Sequence, residues 1–415
     1  MLGRYSLGTG DRFGQQGEAQ LKAIKKAKAD SGVQITPVWN KSHREHEIIG
    51  TTPPDVREEA DNAVARLSWD GPYCVDADHI TREIVDPYIA CSDFFTIDVA
   101  DYIGEKCDPD DNETFIRRNA DLIGTIAIPG IDKEFKVTDQ YLSDWADQYL
   151  RAINQAGEIF EYIRDRKEGQ AVYEISMDEV ETPQTPLELY FILKTAAEKG
   201  ITIHTVAPKF TGDFYKGVDY VGELDQFIKE FEQDLLVIAH AVDTFNLPES
   251  LKLSIHSGSD KFSLYPHIRR LLDKHEAGVH LKTSGTTWLE ELIGLAEAGP
   301  QGLSMVKEIY EEAYGRYDEL TGPYAPVISI DQSQLPAPDR FSGWSGQTIA
   351  SKLEHNPEDP AFDSQLRQFL HCSYKIAAEE GDEFIRLLRE NREEVGRRVT
   401  QNLYTRHIEP LFLGN

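Results

Sequence analysis

Along the chain, short apolar runs alternate with longer stretches in which apolar residues recur every three or four positions. This is the pattern of strands alternating with amphipathic helices. The strand-like runs fall at 4–7, 33–39, 73–77, 94–97, 171–177, 201–206, 251–255 and 279–281. Helical stretches fall at 18–29, 54–67, 143–166, 187–199, 224–244, 265–275 and 288–296. Eight strands separated by helices predict a parallel sheet, and eight is the number that closes a (β/α)8 barrel of TIM type; an open doubly wound sheet is the alternative. On this reading residues 1–300 form the α/β barrel, with an acidic, turn-rich insertion near 104–137. Residues 301–415 form a helical C-terminal extension packed on the barrel, with a Pro-rich stretch at 322–338 and helices at 363–379 and 383–403.

The composition narrows the partners. The 415 residues are 40% hydrophobic and 10% aromatic, which suffices for a large core. Against 43 basic residues stand 72 acidic ones, a net charge of -29. Such a surface repels phosphate backbones and anionic lipid, so nucleic acid and membrane are excluded as partners, and an anionic ligand needs locally gathered Lys and Arg. The four cysteines form no CxxC pair, as expected of a reduced, cytoplasmic protein. The start MLGRYSLGTGDRFG lacks the layout of a signal peptide, and no apolar run approaches the ~20 residues of a membrane span. A small molecule is the expected partner, and a homo-oligomer stays open.

In a barrel of this type, alternate strand residues face inward and the chemistry gathers at the strand C-termini. In Leu251–His256 the alternation turns Lys252, Ser254 and His256 inward, ahead of the turn Ser257-Gly258-Ser259-Asp260-Lys261. In the next strand it turns His280 and Lys282 inward. The third strand ends Asp76-Ala77-Asp78-His79, the fourth ends at Asp98, and Val172, Glu174, Ser176 and Asp178 share one side of the fifth. His204 is expected inward on the sixth, ahead of a loop with Lys209, Asp213 and Lys216. Imidazoles and carboxylates without thiolates suit a divalent ion such as Zn²⁺, Mn²⁺, Co²⁺ or Ni²⁺. Each of these polar residues has a plainer reading as a hydrogen-bonded core group, Asp76 above all. His43 and His46, in KSHREHE, read as a solvated helix face or a lid. His355, His371 and His407 read as surface or packing residues.

Gly8-Thr9-Gly10-Asp11-Arg12-Phe13-Gly14 follows the first strand, but its GxGxxxG spacing is not the dinucleotide fingerprint, and no nicotinamide cofactor is expected. The glycines read as a loop that approaches a small ligand closely, with Arg12 as an anion contact. Neither a P-loop nor a nucleophile elbow is present in the sequence.

The stretches VDADHI, FFTIDVADYIG, SMDE, APKFTGDFYKGVDY, SIHSGSDKFSLYP and HLKTSGTTWLE together resemble the tagaturonate epimerase family, from about residue 4 to residue 290. The resemblance implies a divalent-metal-dependent sugar epimerase on a barrel, interconverting tagaturonate and fructuronate, with some relatives accepting tagatose and fructose. It implies that His79, His256 and His280 hold the metal and that Asp78 accepts a proton. Asp213 is the first choice as proton donor and Asp178 the second. Tyr215 stands where an acidic residue would be expected.

Those two ketouronates differ at C4, which enolisation of a C2 ketone does not reach. Retro-aldol cleavage of C3–C4, rotation and re-addition does reach it, and needs a Lewis acid and a carboxylate. Arg12, Lys209, Lys261 and Lys282 are candidates to hold the substrate carboxylate. Glu174 joins the substrate-binding set, or instead pairs with Lys282. A class II aldolase, a keto-aldose isomerase and a non-catalytic sugar-binding barrel are the competing readings.

Overall fold

The computed structural model describes residues 2–256 and 259–414; Ser257 and Gly258, in the predicted turn after the seventh strand, lie outside the described residues. Eight parallel strands close a barrel: β1 Tyr5–Gly10, β2 Ile35–Ser42, β3 Cys74–Ile80, β4 Phe94–Asp98, β5 Val172–Ser176, β6 Thr205–Ala207, β7 Lys252–Ile255 and β8 Val279–Ser284. Each pairs with its sequence neighbours, and β1 closes on β8 through Ser6 opposite His280. All eight apolar runs of the sequence are therefore strands, and the doubly wound alternative is excluded.

The alternation sets which residues meet inside. Tyr173 and Ile175 of β5 face the helical layer with Phe95, Ile97 and Ile159, while Val172, Glu174 and Ser176 point to the barrel axis. The lower end of the axis is apolar, filled by Leu2, Val38, Cys74, Phe94 and Val172. Above it the interior turns polar, and that change of character places the site at the strand C-termini. Gly8 is needed for closure: a Cβ there would lie 2.8 Å from the Thr283 nitrogen and 3.0 Å from the Lys282 Cα. Gly8 thus serves strand packing, while Gly10 of the same stretch lines the cavity described below.

The sixth strand departs from expectation. The chain bends at His204 and pairing begins at Thr205, opposite Glu174. The bend shifts the phase, so Ile203 packs among helices and Thr205 points inward. His204 instead stacks on Tyr173, accepts a bond from the Tyr173 N–H at 3.2 Å, and is not in the interior.

The stretch between β4 and β5 contains a helix, Pro109–Arg118, and a two-stranded hairpin, Gly124–Ile126 with Phe135–Val137. After β8, helix Thr287–Ala298 becomes the centre of a second core with Val306, Tyr310, Phe369, Phe384 and Val395. The chain then returns to the barrel: Asn402–Leu413 is a wide, π-type helical stretch whose Phe412 ring packs 5.2 Å from Tyr5. No helix among the described residues is long and apolar enough to cross a membrane.

Candidate active site

At the C-terminal mouth of the barrel, His79, Asp178 and His256 each bring one donor atom, and these atoms all lie within 4.8 Å of one another. They come from the ends of β3, β5 and β7. Simple alternation would put His79 on the helix side, because Asp76 and Asp78 face inward. A register shift between Ala77 and Ile80, with His79 held at φ +49°, turns its ring over the axis instead. Its ring stands edge-on to that of His256, 5.0 Å between centroids.

Carboxylates orient both rings. His79 Nδ1 lies 3.2 Å from Asp98 Oδ2, and His256 is held between Glu174 at 2.7 Å and Asp178 at 3.0 Å. Burial disfavours a proton on His79, but Asp78, the bond to Asp98, and Asp178 outweigh it and push its pKa up to about 10. Burial likewise opposes charge on His256, and Asp178 and Glu174 again win, raising it. Asp178 resists the upward push of burial because His256 and His79 hold it well below the usual carboxylate range.

Beneath this floor lies Lys282, its ammonium 2.8 Å from Asp76, 2.8 Å from Asp78 and 3.5 Å from Glu174, and bonded to the Thr96 hydroxyl. Burial lifts Asp76 to about 6 despite Lys282, whereas Lys282 and His79 keep Asp78 low against the same burial. The ledger of charge is lopsided. Asp76, Asp78 and Glu174 face one lysine, and Asp98 and Asp178 face the two imidazoles, so carboxylates outnumber the fixed cations and the site suits a positive ligand. Two imidazoles and a carboxylate on three strands, one imidazole braced by Asp98, suit a divalent transition metal in donor type and in support. These residues could hold such an ion.

The cluster floors a cavity of about 1090 Å³. Helix His43–Ile49 forms one wall, started by Ser42, whose hydroxyl accepts the Glu45 N–H at 3.3 Å. The loop 208–217 and the segment 323–327 form others. Of the residues singled out in the sequence, Arg12, Asp78, His79, Asp178, Lys209, Asp213, His256, Lys261 and Lys282 line this cavity, and Glu174 and His280 do not. Glu174 sits below His256 with no exposure. His280 pairs in register with Ser254, two residues below His256, and its Nδ1 bonds the Ser6 hydroxyl at 2.9 Å. Burial, against the pull of Glu174, drives its pKa down to about 3, so it is a neutral ring one layer under the cluster.

The expected substrate cations have partners within the protein. Arg12 pairs with Glu45 at 2.9 Å and lies over the Tyr374 ring, 4.1 Å from its centroid. Lys261, 1% exposed, donates to the carbonyls of Val218, Tyr215 and Ser259, which ties the turn after β7 to the loop after β6. Asp213 is exposed on the rim and accepts a bond from the Tyr215 hydroxyl at 3.0 Å. Asp98 bracing His79 had no assigned role in the sequence, and the cavity walls from Tyr324 and Tyr374 had no sequence signal, since they come from beyond the barrel strands; His371, read from the sequence as a surface or packing residue, also lines the wall.

With this geometry the chain can be set beside known proteins. The family model of the tagaturonate epimerases matches residues 2–411. The tagaturonate/fructuronate epimerase of Thermotoga maritima is 29% identical over 423 residues, spanning 98% of this chain and 81% of that protein. The native crystal structure of a fructuronate-tagaturonate epimerase from Cohnella laeviribosi superposes with a TM-score of 0.78 at 23% identity, covering 98% of this chain and 81% of that one. Its complex with one glycerol gives 0.79 at 24%, with the same coverage. At such identity the superposition speaks for the fold, and the family match for kinship. The chain belongs to the tagaturonate epimerase family, whose members are epimerases acting on sugars.

Proposed function

We propose that this protein is a metal-dependent epimerase that inverts C4 of a 2-ketohexuronate, converting tagaturonate to fructuronate. The observation that carries the reading is the convergence of His79, Asp178 and His256 at the cavity floor, amid five carboxylates and one lysine, in a chain matched by the family over residues 2–411. His79, Asp178 and His256 would hold the ion. A bound divalent ion supplies Lewis-acid charge for the negative oxygen that builds up at C2.

Asp78 lines the cavity and is kept ionised by Lys282, so it accepts the proton of the C4 hydroxyl. As that O–H is lost, C4–O becomes a carbonyl, C3–C4 breaks, and its electron pair moves to C3 as an enediolate over C2–C3. The C4–C6 aldehyde fragment rotates within the cavity, the pair at C3 attacks its other face, and Asp78 returns the proton to the C4 oxygen. Lys282 holds Asp78 in place through both halves and draws the substrate's hydroxyls towards the floor. The walls from 208–217 and 323–327 shield the aldehyde from water during rotation. Neutral tagatose and fructose would fit the same floor but lack the carboxylate end, and are proposed as poorer substrates.

Incubation with tagaturonate in D₂O tests the reading. Fructuronate without carbon-bound deuterium at C3 or C4 is expected. Free three-carbon products would instead make the protein an aldolase, an aldose would make it an isomerase, and carbon-bound deuterium at C4 would mean inversion by proton removal at that carbon in place of cleavage.

A further inference from the structure

The cavity must receive an anion although the chain carries a net charge of -29, so each of its cations matters. Most are already neutralised or engaged. Arg12 has Glu45, Lys282 has Asp76 and Asp78, Lys261 has three carbonyls, and His43 lies 3.5 Å from Glu47. Arg44 differs. It projects from helix His43–Ile49 at the cavity wall, and among the described residues it makes neither an ion pair nor a hydrogen bond to an acid. Its guanidinium instead lies over the ring of Tyr324, 4.6 Å from the centroid. Tyr324 is itself fixed, its hydroxyl donating to that of Tyr374 at 3.2 Å, with Tyr374 1% exposed. A guanidinium over an aromatic face spends no N–H on an acceptor there, and an arginine edge matches a carboxylate with two parallel bonds.

We infer that Arg44, pinned by Tyr324, is the anchor for the substrate's C6 carboxylate at the cavity mouth. This rests on the uronate reading above and names the residue that makes the site selective for sugar acids. The helix and the 323–327 segment lie nearly 280 residues apart in sequence and meet only through the barrel's closure and the C-terminal helices. Carboxylate selectivity is thus built jointly by the two parts of the chain.

The test uses the whole protein with Arg44→Met, Arg44→Lys and Lys209→Met, Lys209 being a lysine of the same cavity that makes no ion pair among the described residues. Two readouts are taken: KM and kcat on tagaturonate, and binding of galactonate, a six-carbon acid without a ketone, against neutral galactitol. Arg44→Met should raise KM and weaken galactonate about ten-fold, the low end for a charge-assisted contact at a solvent-facing position, leaving kcat within about two-fold and galactitol unchanged. Arg44→Lys should recover part of both. An unchanged KM, equal losses for galactonate and galactitol, or the whole effect appearing in Lys209→Met overturns the assignment. The galactonate arm needs no turnover. A wild-type protein that binds galactonate through Arg44 yet leaves tagaturonate untouched would therefore sink the epimerase reading while keeping this one.

Discussion

Replacing Arg367 by Met removes the guanidinium that stitches the mouth of the barrel to the C-terminal helices. Arg367 has no exposure, and it donates to Gly217 O at 2.6 Å, Asp260 Oδ2 at 2.6 Å, Thr286 Oγ1 at 2.8 Å, and the Leu353 carbonyl. One side chain therefore holds the loop after β6, the turn after β7, the residues after β8 and helix Gly346–Leu353. Removing one partner of a buried ion pair costs ~3–5 kcal/mol. Two stranded carbonyls add ~1–3 kcal/mol each where water does not reach them. Allowing for partial hydration, about 5 kcal/mol is expected. At ~2.1 cal/mol/K of unfolding entropy per residue, that is a fall in melting temperature of about 6 °C. The pH dependence is distinctive. Asp260 is held well below the usual carboxylate range against its burial by Arg367, His355 and His407, so its contribution exists above pH ~4 and is lost only in acid. His355 lies 3.2 Å from Asp260, and its pKa is lowered by burial and further by Arg367. Without Arg367 that imidazole gains a proton more readily and replaces part of the missing charge. The deficit of Arg367→Met should accordingly be smaller at pH 6 than at pH 8, read by calorimetry on both proteins. A deficit under about 1 °C, or one that grows toward pH 6, refutes the reasoning.

Further outcomes follow from the geometry, one for each of five substitutions. His256→Ala should lose bound divalent ion and nearly all epimerase activity with its circular dichroism intact, whereas Asp78→Asn should keep the ion and lose turnover; ion loss in Asp78→Asn would move that residue into the ligand set. Gly8→Ala should destabilise by ~1–3 kcal/mol in denaturant titration, because its Cβ meets backbone of β8 at 2.8 Å; an unchanged midpoint would mean the strands part freely. Lys252 is buried against Gly3 O at 2.6 Å, and burial lowers its pKa to about 7. Its folded pKa lies below the unfolded ~10.4, so its cost is full below pH 7 and fades as pH rises toward 10, and stability should climb less over that range in Lys252→Met. Arg44→Met should also release more three-carbon aldehyde acid per epimerisation than wild type, detected by chemical trapping; equal release would mean the anchor plays no part during rotation.

The strands were legible because one residue in two along them is apolar and faces helices, which is all that periodicity reads. Register was not. His280 and His256 look equivalent in sequence, each inward near a strand end, yet the pairing of His280 with Ser254 puts it a layer lower. His79 broke the alternation through a left-handed backbone, a local strain that no side-chain pattern announces; its place at the strand end was visible, but its role as a ligand came only from the family resemblance. At His204 a bend reversed the phase. Arg44 carried no signal in the sequence because its neighbour, Tyr324, arrives from the far end of the chain. Lys282 was ambiguous between substrate and barrel carboxylates, and the three acids around it are visible only once β3, β5 and β8 face one another across the axis.

The central claim is that a divalent ion held at His79, Asp178 and His256 is required to invert C4. The direct measurement is the rate of fructuronate formation from tagaturonate by chelator-stripped protein as Mn²⁺, Zn²⁺, Co²⁺ or Ni²⁺ is added back. The account predicts negligible conversion by the stripped protein and a rate that rises until one ion is bound per chain. Full conversion by the stripped protein, or none at any ion loading, would contradict it.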